Sequence, residues 1–306
     1  MLRRVAVVAV VLAVAFRVDA APATSAGLTA RVGGRPVAVA QTYDALWVTS
    51  ANGATLTRID PRTRRRVGDP IAVGRGPYGV IAAQGAVWVS AYRDSEVTRI
   101  DAAHPNRPQH IRVPDRPYAL AEAFESIWVG STSRGLVSRI DPATGEVMTP
   151  EIHFDGVPRA IAQGSTALWV LDIRDAELLR FSPETGALVG SPVRVGALPS
   201  SLAIADGVVW VASAQAGTVT RYDEATGARI GRAIRVPERP QSLAIAEGRV
   251  YVVSLDADTV TAIDASTGRV TGSPIVVGNA PTAVSAGPHG VWVTNSRSDS
   301  ITRVRR

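Results

Sequence analysis

From about residue 24 onward, short runs in which apolar residues alternate with polar or small ones are separated by turn residues. Residues 240–280 show the pattern most plainly, with the runs SLAIA, VYVVS, TVTAID and SPIVVG bounded by EG, DAD and STG. Period-2 alternation over five or six residues is that of a β-strand with one face turned inward. Four such runs joined by tight turns predict a four-stranded antiparallel meander.

The remainder of the chain repeats this unit. A proline opens each copy at positions 36, 77, 117, 158, 199, 240 and 281, with neighbouring copies 41, 40, 41, 41, 41 and 41 residues apart. An aromatic residue followed by Val comes eleven positions later: Trp47, Trp88, Trp128, Trp169, Trp210, Tyr251 and Trp292. All six tryptophans fall on this lattice. Seven copies of about 40 residues, each with four strands, predict an all-β, seven-bladed β-propeller of four-stranded antiparallel blades. The second residue after each proline is small, and the third is branched aliphatic, from Ala38 and Val39 through to Ala283 and Val284. Adjacent strand positions face opposite ways. The small side chains therefore fit a crowded axis, and the bulky ones pack on a neighbouring blade. This makes the first run the innermost strand.

The last copy ends at Arg306 after its third strand, whereas SAGLTARVGG, residues 25–34, precedes the first proline and has the fourth-strand pattern. Residues 28–32 are thus expected to pair with 300–304, completing the seventh blade and removing a sheet edge. Residues 1–23 stand outside the propeller. Arg3 and Arg4, a twelve-residue apolar run at 5–16 and small residues beyond it have the pattern of a secretory signal peptide. The run is short for a membrane span. Residues 24–306 carry no linker-like composition and are expected to form one propeller domain.

There is no cysteine, so disulfides and thiolate zinc sites are excluded. The formal net charge is +6, and every one of the 33 basic residues is arginine. Arg58, Arg99, Arg139, Arg180, Arg221 and Arg303 share one third-strand position, as a solvated face would, and Arg62, Arg64, Arg65 and Arg66 form the densest cluster, in a turn. No aromatic-basic interleaving marks a nucleic-acid module.

The copy P-x-(S/A)-(L/I)-A … (V/L)-(W/Y)-V … (T/S)-R-(I/Y)-D-x-x-T-G-x-V … V-G-x-x-P resembles the YVTN-type bacterial propeller repeats and the related streptogramin-lyase-like (virginiamycin B lyase-like) propellers, residues 251–284 most closely. The resemblance spans all seven copies and implies the propeller fold. Those families include binding modules as well as enzymes. The lyase members linearise a cyclic depsipeptide by elimination, with a His and Glu constellation, a magnesium ion and the His at the channel mouth.

In this chain His104, His110, His153 and His289 all fall away from the expected mouth, and the chain has no G-x-S-x-G, H-E-x-x-H or P-loop motif. The tryptophans, at one strand position beside Val, are expected between blades rather than on a ligand. Specificity is sought where the repeat varies, in the loops that converge on the axis. The residues flanking each proline bring Arg35, Tyr78, Arg116, Tyr118, Arg159, Arg239 and Gln241 there, and the position three after the aromatic adds a polar ring that includes Asp172 and Asn295, with Asp256 at a loop tip. Arginine forks flanked by tyrosines suit carboxylate or phosphate groups, unless the arginines are paired to Asp115, Asp155 or Glu238. The expectation is a secreted, extracytoplasmic bacterial binding or scaffold module, a monomer without cofactor or resident metal, taking an anionic ligand or a protein partner at the mouth. The alternative is a lyase-like enzyme that uses Asp172 or Asp256 and a divalent metal at the same place.

Overall fold

The computed structural model describes residues 29–304 apart from residue 134. These residues form seven four-stranded antiparallel sheets with no helix among them. Each sheet is one copy of the repeat. Blade 5 is representative, with Pro199–Ala205, Val208–Ser213, Thr218–Asp223 and Arg229–Arg235 adjacent in chain order. The inner strands that begin at the prolines pack side by side from blade to blade, and the inner strands of blades 7 and 1 also meet, so the ring closes. Residues 1–23, expected from their pattern to be a signal peptide, lie outside the described residues. No helix among the described residues is long and apolar enough to cross a membrane.

The closure follows the sequence pattern. Thr29–Arg31 is the fourth strand of blade 7 and pairs Thr29 with Thr302, Ala30 with Ile301 and Arg31 with Ser300. Leu28 lies outside the described residues. Val32 extends the contact by donating its N–H to the Asp299 carbonyl at 2.9 Å. Ala30 is 5% exposed and packs with Trp292 and Ile301 of blade 7 and Val39, Leu46, Val48 and Ile59 of blade 1.

The core lies between blades. Trp47 packs on Val87, Val89 and Ile100 of the next blade, and Trp128 on Ile161, Leu168 and Val170. The six tryptophans are at most 1% exposed, as a packing role requires. The aliphatic residue three after each proline joins these interblade clusters, while the small residue two after it lines the axis. The aliphatic residue also lines the axial cavity, and Ala119 and Ala160 also join interblade clusters, so the two roles are shared and not divided cleanly between the faces.

The third-strand arginines differ from expectation. Each is registered opposite the tryptophan of its own blade. In blades 1–5 the guanidinium carbon lies 5.4–5.6 Å from the indole centroid. These five arginines are half-buried lids on the rings rather than a solvated face. In blade 6, where the aromatic is Tyr251, the registered partner is Ala262. The cation is missing where the indole, the strongest cation acceptor among aromatic rings, is missing.

Candidate functional site

Two backbone features build the mouth. The inner strand is irregular at its start in every blade, with a register shift just after the proline. A bulge re-aims side chains next to it. It brings the variable residue after the proline to the axis alongside the small one. The backbone N–H left over by the bulge is taken by a second-strand hydroxyl in three blades: Ala38 by Thr49 Oγ1, Gly79 by Ser90 Oγ and Ala283 by Thr294 Oγ1.

The second feature lies before the proline. Arg35, Gly76, Arg116, Leu198, Arg239 and Ala280 all have φ between 50° and 70°. For a residue other than glycine this left-handed conformation is unfavourable by about 1 kcal/mol. It is held in place because the carbonyl of each of these residues accepts the N–H of the first residue after the second strand, as Arg116 does from Thr132 at 3.0 Å. The loops are therefore clamped, and Arg35, Arg116 and Arg239 leave the backbone in a fixed direction.

The resulting axial cavity has a volume of ≈ 460 Å³ and is lined by residues from all seven blades, among them Arg35, Tyr78, Tyr118, Arg159 and Gln241. Its lining includes no carboxylate. Among the described residues, neither Arg35 nor Arg159 has an acidic partner. Asp155 is instead bound by Arg174 at 2.7 Å, and that guanidinium holds the Asp155 carboxyl below its usual range. Asp115 accepts from Ser95.

One side of the mouth is an aromatic–cation series. Tyr78 stacks on Tyr118 with centroids 5.5 Å apart and 27° between planes, and Tyr92 meets the edge of Tyr78 at 5.6 Å. Arg159 lies 4.4 Å over Tyr118, and Arg116 5.8 Å over Tyr92. The blade 2 and blade 3 strands come this close because Gly79 lacks a side chain; a Cβ there would stand 2.6 Å from the Tyr118 carbonyl oxygen. Ser90 bridges the junction, accepting from Gly79 N and donating to that same carbonyl at 3.0 Å. A guanidinium over a tyrosine is a positioned cation, stabilised by about 1 kcal/mol while its N–H edge stays free to bind an anion.

Other residues of interest lie elsewhere. Arg116 adjoins the cavity through Tyr92 without lining it. Arg239 is paired with Asp256 at 3.3 Å, which occupies both. The polar ring three after the aromatic is buried and structural. Asp172, 2% exposed, accepts the N–H of Val157 at 2.8 Å and of Arg174 at 2.9 Å. Asn295, fully buried, accepts from Gly278 N and donates to Ser300 and Thr302. Ser131 and Ser254 donate to the carbonyls of Pro114 and Pro237. In five of the seven blades, at Ser50, Ser131, Asp172, Ser254 and Asn295, this ring buckles the loop before the proline to the end of the second strand. The histidines are remote from the cavity: His110 bonds Glu96 at 2.8 Å, His104 lies 3.7 Å from Asp101, and His289 reaches Thr42 across the blade 7–blade 1 junction. Among the described residues, no three His, Asp or Glu side chains come together as metal donors.

The outer membrane protein assembly factor BamB family matches residues 159–306, a little under half of the chain. No curated protein matches it in sequence. Among solved structures, virginiamycin B lyase from Staphylococcus aureus is similar with a TM-score of 0.78 and 14% identity, covering 91% of this chain and 98% of that one. Hydrazine synthase from Kuenenia stuttgartiensis reaches 0.77 at 16% identity, covering 89% and 96%. The WD40 β-propeller domain of Doa1 reaches 0.76 at 12% identity, covering 91% and 95%. Identities this low carry the architecture and not the activity. The chain is a seven-bladed β-propeller that shares its fold with virginiamycin B lyase and with WD40 scaffolds.

Proposed function

We propose that this chain is a secreted propeller binding module whose axial mouth docks an anionic group of a ligand or partner. The observation that carries this reading is the pairing state of the mouth cations. Arg35 and Arg159 line a cavity without a carboxylate, and the acids nearest in sequence are engaged with other groups. An arginine fork aimed into a concave site is a carboxylate or phosphate receptor. The leader-like residues 1–23 support an extracytoplasmic location. The lyase-like alternative rests on a likeness of fold. Asp172 and Asp256, the carboxylates it would employ, do not line the cavity and are already engaged.

The test is isothermal titration with inorganic phosphate and with benzoate as probes. The wild-type protein is expected to bind at least one of them. Arg159→Ala should weaken binding about tenfold, the worth of one charge-assisted contact. The double variant Arg35→Ala/Arg159→Ala should abolish it with the melting temperature lowered by no more than about 2 °C, the worth of the lost Arg159–Tyr118 contact. Undiminished binding by the double variant overturns the proposal.

A further inference from the structure

The axial cavity adjoins a second hollow whose lining comes from blades 1 and 2. This hollow has a volume of ≈ 400 Å³ and is lined by Arg35, Asn52, Arg75, Gly76, Tyr78 and Arg93, among others. Arg35, Ala51 and Tyr78 line both spaces. Its charge is one-sided. Arg75 is satisfied by Asp94, which accepts its N–H and its guanidinium at 2.6 and 2.8 Å. Asp299 spends its carboxylate on the Arg35 backbone N–H at 2.8 Å. Among the described residues, the side chains of Arg35 and Arg93 have no acidic partner. Backbone bonds fix this hollow too, with Tyr92 N and Arg93 N donating to Gly76 O and Arg75 O, both at 3.0 Å.

From this arrangement we infer that the mouth holds a linear ligand carrying at least two anionic groups, one in the axial cavity at Arg159 and a second in the outer hollow at Arg93, with the intervening segment crossing Tyr78 and Arg35. The inference rests on the axial anion site proposed above and adds a second point of attachment and a direction. Gly76 lines the outer hollow. The other residues at its repeat position bear side chains, three of them arginines, and glycine leaves the blade 2 loop bare on the side of the outer hollow. Two linked anionic groups gain affinity because the second binds at a high effective concentration once the first is seated. A ligand too short to span the two hollows gains nothing.

The experiment compares chain lengths. Inorganic phosphate is titrated against linear polyphosphates of increasing length, and monomeric galacturonate against its oligomers, so that the two arms separate phosphate from carboxylate ligands. The expected result is a step of about a hundredfold in affinity at one threshold length in one or both arms. Arg93→Ala should remove the step and leave affinity for the monomeric probe and the melting temperature unchanged. Arg159→Ala should weaken monomer and oligomer alike. Monomer binding at the mouth without a length step, or a step that survives Arg93→Ala, overturns the two-point inference and leaves the axial site standing. No binding of any probe overturns both.

Discussion

Removing residues 24–34 isolates the contribution of the closing strand. The deletion takes away the three paired residues of Thr29–Arg31 and the bonds from Val32 and Gly33 to Asp299. At about 1 kcal/mol net per backbone bond these amount to about 4 kcal/mol. Loss of burial for Ala30 and half-buried Val32 adds about 2 kcal/mol, and uncovering Ile301 and Trp292 about 2 more. Against this, the truncated chain no longer has to order some five residues on folding, which offsets about 5 kcal/mol. The net loss is about 3 kcal/mol, or a melting temperature lower by about 6 °C for a chain of this size. The truncated protein should also expose the edge of Ser300–Val304 and self-associate. Thermal denaturation followed by circular dichroism, with light scattering alongside, reads both effects. Ala30→Asp, which places a carboxylate at a 5%-exposed position, should reproduce the loss in full-length protein. A truncated protein that melts within about 1 °C of wild type and stays monodisperse would refute the argument that this strand closes the ring.

Three further outcomes follow from the geometry. Arg99→Ala uncovers the Trp88 ring and should lower stability by about 1 kcal/mol in chemical denaturation, whereas Ala262→Arg in the Tyr251 blade should gain less than that. Asp172→Ala strands two part-buried N–H groups and should cost about 1–2 kcal/mol in the same assay, with anion binding at the mouth retained in the folded fraction. The Asp264 carboxyl is held down to about 2 from 3.8, first by the Thr267 N–H and then by the Ser266 and Thr267 hydroxyls. Its folded value lies below its unfolded one, so its contribution is complete above about pH 4 and is lost as the pH falls through about 2. In acid denaturation Asp264→Ala should flatten part of that limb, to which the lowered carboxyls of Asp60, Asp101, Asp141 and Asp223 in turns and of Asp44, Asp94 and Asp155 in ion pairs also contribute.

The architecture was legible because a propeller imposes its constraint seven times. The Pro and Trp lattice gives the period, the small and bulky pair gives the two faces of the inner strand, and a missing fourth strand at one end matches a surplus strand at the other. The candidate site was legible only in part. Tyr78, Tyr118, Arg159 and Arg35 stood out as departures from the repeat, and these are the residues the cavity gathers. Asp172 and Asn295 misled because polarity was taken as a sign of exposure. A position that stays hydrogen-bonding in most blades is more naturally a repeated buckle, and Ser131, Ser254, Asp172 and Asn295 perform that task. The indole–guanidinium pairs had a sequence signal, the joint replacement of Trp and Arg by Tyr251 and Ala262. The left-handed residues before the prolines had none, since arginine, leucine and alanine do not advertise positive φ.

The position of a bound anion tests the account most directly. Crystals soaked in selenate and measured at the selenium absorption edge would reveal it by anomalous scattering. The account predicts a selenium peak inside the axial cavity about 4 Å from the Arg159 guanidinium nitrogens, one Se–O bond beyond the hydrogen-bonding oxygen, absent in Arg159→Ala crystals. An empty cavity, with peaks only at outer turns such as Arg62 to Arg66, would contradict it.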